Sequence, residues 1–216
     1  MAKVVFPPGC VVAVGLKSEA ALLPRGVRVV VSGGDPARLE ALLAALPGDV
    51  TAVLSFGIAG GLAPGIATGE VLVASTLWDD GTLWPVDAAL LAGLSLRRGV
   101  IAASAGLLAN ASAKEALHRA SGALAVDMES GAAARFARAR GLPFGVLRAV
   151  ADGPGDVLPQ AAAVGLNPDG SPAPGRVLAA LLRRPGDLPA LLQLARASAK
   201  AHDALRGVLA APVSLD

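Results

Sequence analysis

Short apolar runs, each closed by a glycine, a proline or a carboxylate, alternate along this chain with Ala-rich segments of helical character. The runs cover residues 10–14, 27–31, 50–56, 70–76, 99–104, 123–126 and 144–150. Apolar runs of this length between turn signals read as buried strands, and strands alternating with helices make an α/β sheet. Two junctions stand out. Asp127-Met128-Glu129-Ser130 separates an apolar run from a helical stretch over 131–140, and Arg148-Ala149-Val150-Ala151-Asp152 ends another run in a carboxylate. The carboxyl ends of strands are where open α/β sheets bind ligands. Negative charge also suits a helix N-terminus, so capping is the competing role for Asp127 and Glu129.

Taken in order, Cys10–Val14 is expected to be the first, central strand. Ser18 is placed to cap a short helix over 19–23. Asp35 and Pro36 open a helix reaching Leu46. The glycine-rich stretch 57–65 follows the third strand as a loop whose backbone approaches a ligand closely. Residues 77–98 read as an irregular excursion with a hairpin near Asp79-Asp80-Gly81. Ser112 and Glu115 have capping-box spacing for a helix to about Ala120. Pro and Gly make 153–175 a loop, and 174–209 a C-terminal helical pair. The expected whole is a single α/β domain over 1–216, with a central mixed β-sheet flanked by helices.

Composition excludes several function classes. The formal charge is +2 over 216 residues, and Lys and Arg form no block beyond pairs such as Arg97-Arg98, so nucleic acid is not an expected partner. The lone Cys10 excludes a disulfide framework and suits a reducing cytoplasm. His118 and His202 lack metal-ligand spacing, so no metal is expected. No apolar run reaches membrane-spanning length, and the stretch from Lys3 to Lys17 is too short for a signal peptide. A dinucleotide fingerprint fails because Ala59 stands where its second glycine belongs. A Walker loop and a Gly-x-Ser-x-Gly elbow are both absent.

What survives is a set of strand-end segments: Glu19, Ser32-Gly33-Gly34, Gly57–Gly61, Met128-Glu129 and Asp152. Brought to one edge, they would line a cleft of carboxylates and backbone N–H groups. Cleaving a glycosidic bond needs little more: an acid for the leaving group, hydrogen bonds to the sugar, and a positioned nucleophile.

Three blocks carry a resemblance: Phe56-Gly57-Ile58-Ala59-Gly60-Gly61-Leu62, Ala125-Val126-Asp127-Met128-Glu129-Ser130 and Leu147-Arg148-Ala149-Val150-Ala151-Asp152. In that order and spacing they resemble the signature blocks of the purine nucleoside phosphorylase / methylthioadenosine nucleosidase superfamily, over roughly residues 10 to 155. The tail from Leu166-Asn167-Pro168-Asp169-Gly170 resembles more narrowly the hopanoid-associated phosphorylases, a subgroup linked to removing adenine from adenosylhopane.

The resemblance implies roles. Asp152 would donate a proton or a strong hydrogen bond to purine N7, with Glu19 activating water. Glu129 would bind the ribose hydroxyls, with Met128 packed under the sugar. Ser32, Gly33, Gly34, Gly57, Ile58 and Ala59 would form the phosphate or water side, and Leu108, Val126 and Asp127 the base side. No cofactor is implied beyond inorganic phosphate as a co-substrate. The implied substrate is an adenine nucleoside with a bulky apolar 5′ group, lipid-linked in the narrower subgroup, with transient membrane contact. The implied assembly is a homo-oligomer. Four positions depart from the pattern. Ser55 stands where hexameric phosphorylases have Arg, Ile58 replaces a small hydroxyl residue, Ala151 replaces a Ser before the acid, and Leu108 replaces a stacking aromatic. Ser55 and Ile58 weaken a phosphate site of that type, and Ile58, Ala151 and Leu108 support the alternative of a non-catalytic purine-nucleoside binding module on the same fold.

Overall fold

The computed structural model describes residues 4–210; residues 1–3, with Lys3, and 211–216 lie outside that range. The eight strands are β1 (Cys10–Val14), β2 (Arg28–Val31), β3 (Ala52–Gly61), β4 (Val71–Asp79), β5 (Thr82–Pro85), β6 (Arg97–Ala103), β7 (Ala125–Asp127) and β8 (Phe144–Asp152). The helices are α1 (Lys17–Ala20), α2 (Pro36–Ala44), α3 (Ala111–Ser121), α4 (Ser130–Ala139), α5 (Gln160–Ala163), α6 (Pro174–Arg183) and α7 (Leu188–Ala210). The mixed α/β sheet expected from the alternation is present, in the order β2-β1-β3-β7-β6-β4-β5, with β8 paired to both β3 and β4.

That double pairing closes a ring. β3 runs parallel to β8 and antiparallel to β7, β7 and β6 are parallel, β6 and β4 are parallel, and β4 returns antiparallel to β8. A strand inside a closed ring has no free edge. Accordingly every residue of β8 is buried. Side chains follow the period of two. Val11 and Ala13 join the apolar cluster that includes Leu39 and Leu43 of α2 and Ala133 and Ala137 of α4. Val12 and Val14 join the cluster with Ala201 and Leu205 of α7. Along β8, Val146 and Val150 serve the first cluster, and Leu147, Ala149 and Ala151 the second. Arg148 shares the parity of Val146 and Val150, so a guanidinium is turned inward.

Several local expectations are corrected. β1 is second from one end of the sheet, not central, because only β2 lies outside it. Ser18 does not cap α1; Leu16 occupies that position, and the Ser18 hydroxyl meets His202 Nε2 at 3.0 Å. The stretch Gly57–Gly61 is not a loop but the second half of β3. Its glycines let the backbone pass tightly over buried side chains while the ladder to β8 continues, with a register shift at Ala59/Gly60. The α3 cap is Asn110, whose side chain accepts from Ala113 N–H at 2.8 Å, not Ser112. In 77–98, β4 and β5 form the expected hairpin, with Asp80 and Gly81 at positive φ, but Arg97 and Arg98 already belong to β6.

Candidate active site

The ring brings the ends of β3, β7 and β8 beside α1, and one cleft of about 200 Å³ opens there. Glu19, Glu129 and Asp152 line it together, although they lie far apart in the chain. All three are buried. Ile58, Ala59, Val126, Asp127 and Met128 also face it, as do Gly34 and Leu108. Ser32, Gly33 and Gly57 are not part of this lining. Leu16, Leu107, Leu158 and Leu166 make much of the remaining wall apolar.

The organising group is Arg148, which has no solvent exposure. Its Nε lies 3.0 Å from Asp127 Oδ2 as an ion pair, although the N–H is not aligned for a hydrogen bond. Its Nη2 lies 3.4 Å from Glu129 Oε2 and donates to Ser55 Oγ. Its Nη1 reaches Ile58 O at 3.4 Å. Burial opposes this charge, but Asp127, Glu129 and Glu19 outweigh it and hold the guanidinium pKa above its ordinary value. Ser55 therefore orients the cation through its hydroxyl, which also accepts from Ser130 Oγ at 3.0 Å.

Each carboxylate has a distinct setting. Asp127 is the cap: Oδ1 accepts from the N–H groups of Glu129 at 2.9 Å and Ser130 at 2.7 Å. Glu129 makes no side-chain cap bond, and turns instead toward the cleft, where Oε1 accepts from Ser32 Oγ at 3.1 Å. Of the two acids that position alone left open, Asp127 takes the capping role and Glu129 does not. Burial pushes the Glu129 pKa up to about 7, with Arg148 opposing. Glu19 accepts three backbone N–H groups, from Gly15 at 2.8 Å, Leu16 at 2.9 Å and Ile58 at 2.8 Å. Burial raises its pKa, against Arg148 and those N–H groups.

The approach is close enough to exclude side chains at two glycines. A Cβ on Gly15 would lie 2.6 Å from Glu129 Oε1. One on Gly57, at φ +151°, would overlap Glu19 Oε1 and crowd Arg148. These glycines let three acidic groups share one cation across strand ends.

At the other end of the cleft, Asp152 Oδ2 pairs with Lys114 Nζ from α3. Lys114 is 1% exposed, and its ammonium also donates to Gly153 O at 2.7 Å and Asp156 O at 3.2 Å. Burial raises the Asp152 pKa, with the Lys114 hydrogen bond and charge opposing. Ala151 offers the acid no side-chain support; Lys114 does.

The Ser32-Gly33-Gly34 backbone is already engaged. Ser32 N–H donates to Val14 O at 2.8 Å, Gly33 N–H to Gly15 O at 3.0 Å, and Gly34 N–H to Ser32 Oγ at 3.0 Å. Gly33 also packs on Pro168 O, with no room for a Cβ. Cys10 is buried away from the cleft, and burial pushes its thiol up to about 11. His118 Nδ1 meets Ala123 O at 2.8 Å. Among the described residues no group of three or more His, Cys, Asp or Glu is arranged to hold a metal ion.

Sequence reasoning named the carboxylates but missed Arg148 and Lys114. The signal for Arg148 was legible: it is the one basic residue in an otherwise apolar strand run. Lys114 gave no signal, because a lysine on an Ala-rich helix normally faces water.

Comparison with known proteins bears on the fold. Residues 85–183 match the family model described as the phosphorylase superfamily. No curated protein matches the chain in sequence. A Helicobacter pylori MTAN mutant with 5′-methylthioadenosine in its active site superposes with TM-score 0.63 at 17% identity, covering 97% of this chain and 99% of that one. The Streptococcus pyogenes S-adenosylhomocysteine nucleosidase in complex with 5-methylthiotubericidin gives 0.65 at 18%, covering 94% and 97%. A Helicobacter pylori futalosine hydrolase mutant gives 0.58 at 21%, covering 65% and 88%. The chain thus has the fold of the methylthioadenosine/S-adenosylhomocysteine nucleosidases, and over residues 85–183 it matches the phosphorylase superfamily.

Proposed function

We propose that this protein cleaves the N-glycosidic bond of an adenine nucleoside with a bulky apolar 5′ substituent, adenosylhopane being the substrate that the tail of the chain suggests, and so acts in hopanoid biosynthesis. The observation that carries this reading is the convergence of Glu19, Glu129 and Asp152 on one apolar-walled cleft. Asp152, whose pKa burial raises, is the group placed to give a proton to purine N7. As the C1′–N9 bond breaks, its electron pair goes to the base and N7 takes that proton. Such acid catalysis supplies roughly 10²–10⁴-fold. Glu129 accepts from the ribose hydroxyls, and the acidic cluster around Arg148 favours the positive charge that develops at C1′. Leu16, Leu107 and Leu166 offer an apolar surface for the 5′ group.

Water is the nucleophile in this reading. Glu19 takes a proton from it as the new C1′–O bond forms. The engaged N–H groups of Ser32, Gly33 and Gly34 leave phosphate without the backbone cradle it would need there. No cofactor enters the reaction. The reading extends to a cytoplasmic homo-oligomer that meets a lipid-linked substrate by transient contact with a membrane surface; no described helix is long and apolar enough to cross a membrane.

The test is a product assay with adenosylhopane or a 5′-alkylated adenosine, with and without phosphate, following adenine by chromatography. Adenine without phosphate is expected, and Asp152→Asn should lower its rate by about 10²–10⁴-fold. Adenine only with phosphate, together with a ribose 1-phosphate, would replace the role given to Glu19. Binding without turnover would make the chain a purine-nucleoside binding module.

A further inference from the structure

We propose that Lys114 is the positioning residue for the acid: it fixes the Asp152 carboxyl at the end of the cleft and stabilises the carboxylate left once the proton has gone to the base. This rests on the glycosidic reading above. A lysine on a helix ordinarily extends its stem along the surface and keeps the ammonium in water. Lys114 lies near the start of α3, yet it turns inward and is 1% exposed. An unpaired buried ammonium is costly. Here its three N–H donors match three acceptors: Asp152 Oδ2, Gly153 O and Asp156 O.

The arrangement has a direction. Lys114 occupies Oδ2, and no described protein group hydrogen-bonds Oδ1, so Oδ1 is the oxygen left to carry the transferable proton. Gly60 backs the carboxyl, with room for a Cβ only 3.4 Å from Oδ2. The charged groups facing Asp152 are Lys114 from α3 and Asp156 from the loop after β8. Asp156 opposes ionisation of Asp152, and its own Oδ2 is held by Gly153 N–H at 2.7 Å. In the step itself the Oδ1–H bond breaks, N7–H forms, and the C1′–N9 pair goes to the base. A carboxylic acid beside an ammonium becomes an ion pair at the moment of bond cleavage. The gain appears as the proton leaves, so it lowers the barrier rather than tightening substrate binding.

A lysine that only tied α3 to the loop at 153–156 would behave differently, and leaving-group dependence separates the two. Wild-type protein and Lys114→Met are compared on a 5′-alkylated adenosine and on a 4-nitrophenyl riboside with the same 5′ group. Nitrophenolate leaves without protonation, so its release reports an intact ribose and water side. The expected result is a loss of about 10²-fold in kcat for adenine release, with KM little changed, and a loss under about 3-fold for nitrophenolate. Equal losses on both substrates, or none on either, would overturn the proposal. If Lys114→Met does not fold, Lys114→Gln retains N–H donors while removing the charge; the same selective loss is expected of it. Failure of wild-type protein to release adenine would instead sink the glycosidic reading, and this role with it, whereas wild-type turnover with unselective losses sinks the role of Lys114 alone.

Discussion

The two ends of the cleft bury the same kinds of group in different ratios. Around Arg148, one guanidinium serves Asp127, Glu129 and Glu19, while at Asp152 one ammonium meets one carboxylate. In the first, burial drives both Glu19 and Glu129 toward the neutral form, Glu129 to about 7, and the neighbouring acids add to the shift of Glu129. The second is a balanced pair whose acid keeps a raised pKa mainly through burial. In the proposed reaction, surplus acid suits the end assigned to the sugar, and a balanced pair suits the end assigned to proton transfer.

The strongest way to break this contrast is Arg148→Met. It leaves three buried carboxylates with no counter-charge and should cost about 3–5 kcal/mol of folding stability, read by urea denaturation. A loss under about 1 kcal/mol would mean that the cation does not organise that end. Next comes Glu129→Gln, whose effect depends on pH. The Glu129 pKa is higher in the folded state than its ordinary 4.5, so the folded protein holds the extra proton between about 4.5 and 7. Its contribution to stability is therefore full below pH 4.5 and is lost as pH rises through 7. The glutamine variant should match wild type at about pH 5 and exceed it by roughly 1–3 kcal/mol at about pH 8, in melts at both values. A difference that grows toward low pH would reverse the assignment. The smallest change expected is from Ser32→Ala, which removes the 3.1 Å bond to Glu129 Oε1. It should cost about 1 kcal/mol and move the Glu129 titration, followed by carboxyl NMR, further upward.

Much of the fold and the outline of the cleft are legible in the amino-acid sequence. Alternating apolar runs point to the mixed sheet, and carboxylates at strand ends point to the cleft, because both depend on short-range pattern. What escapes depends on long-range geometry. Gly57–Gly61 looks like a loop because its residues are small; pairing with β8 and β7 makes it a strand. Asp127 and Glu129 are equivalent as helix-start acids in sequence, and the inward Arg148 beneath them fixes Asp127, leaving Glu129 to the cleft. Lys114 is read as a surface residue until the end of β8 is brought against α3.

The closed ring also has a kinetic consequence. β3 and β8 pair residue Val53 with Phe144, so closing the ring joins segments 91 residues apart in the chain. Such contacts carry a high loop-closure cost and form slowly. Glu19, Arg148 and Asp152 come together only when that closure happens. During synthesis the first seven strands emerge before β8, and until β8 docks the edges of β3 and β4 that it later joins are unpaired. The last strand to appear is the one that both seals the sheet and brings Arg148 and Asp152 to the cleft, so a complete cleft and protection from edge-to-edge aggregation should arrive in one step.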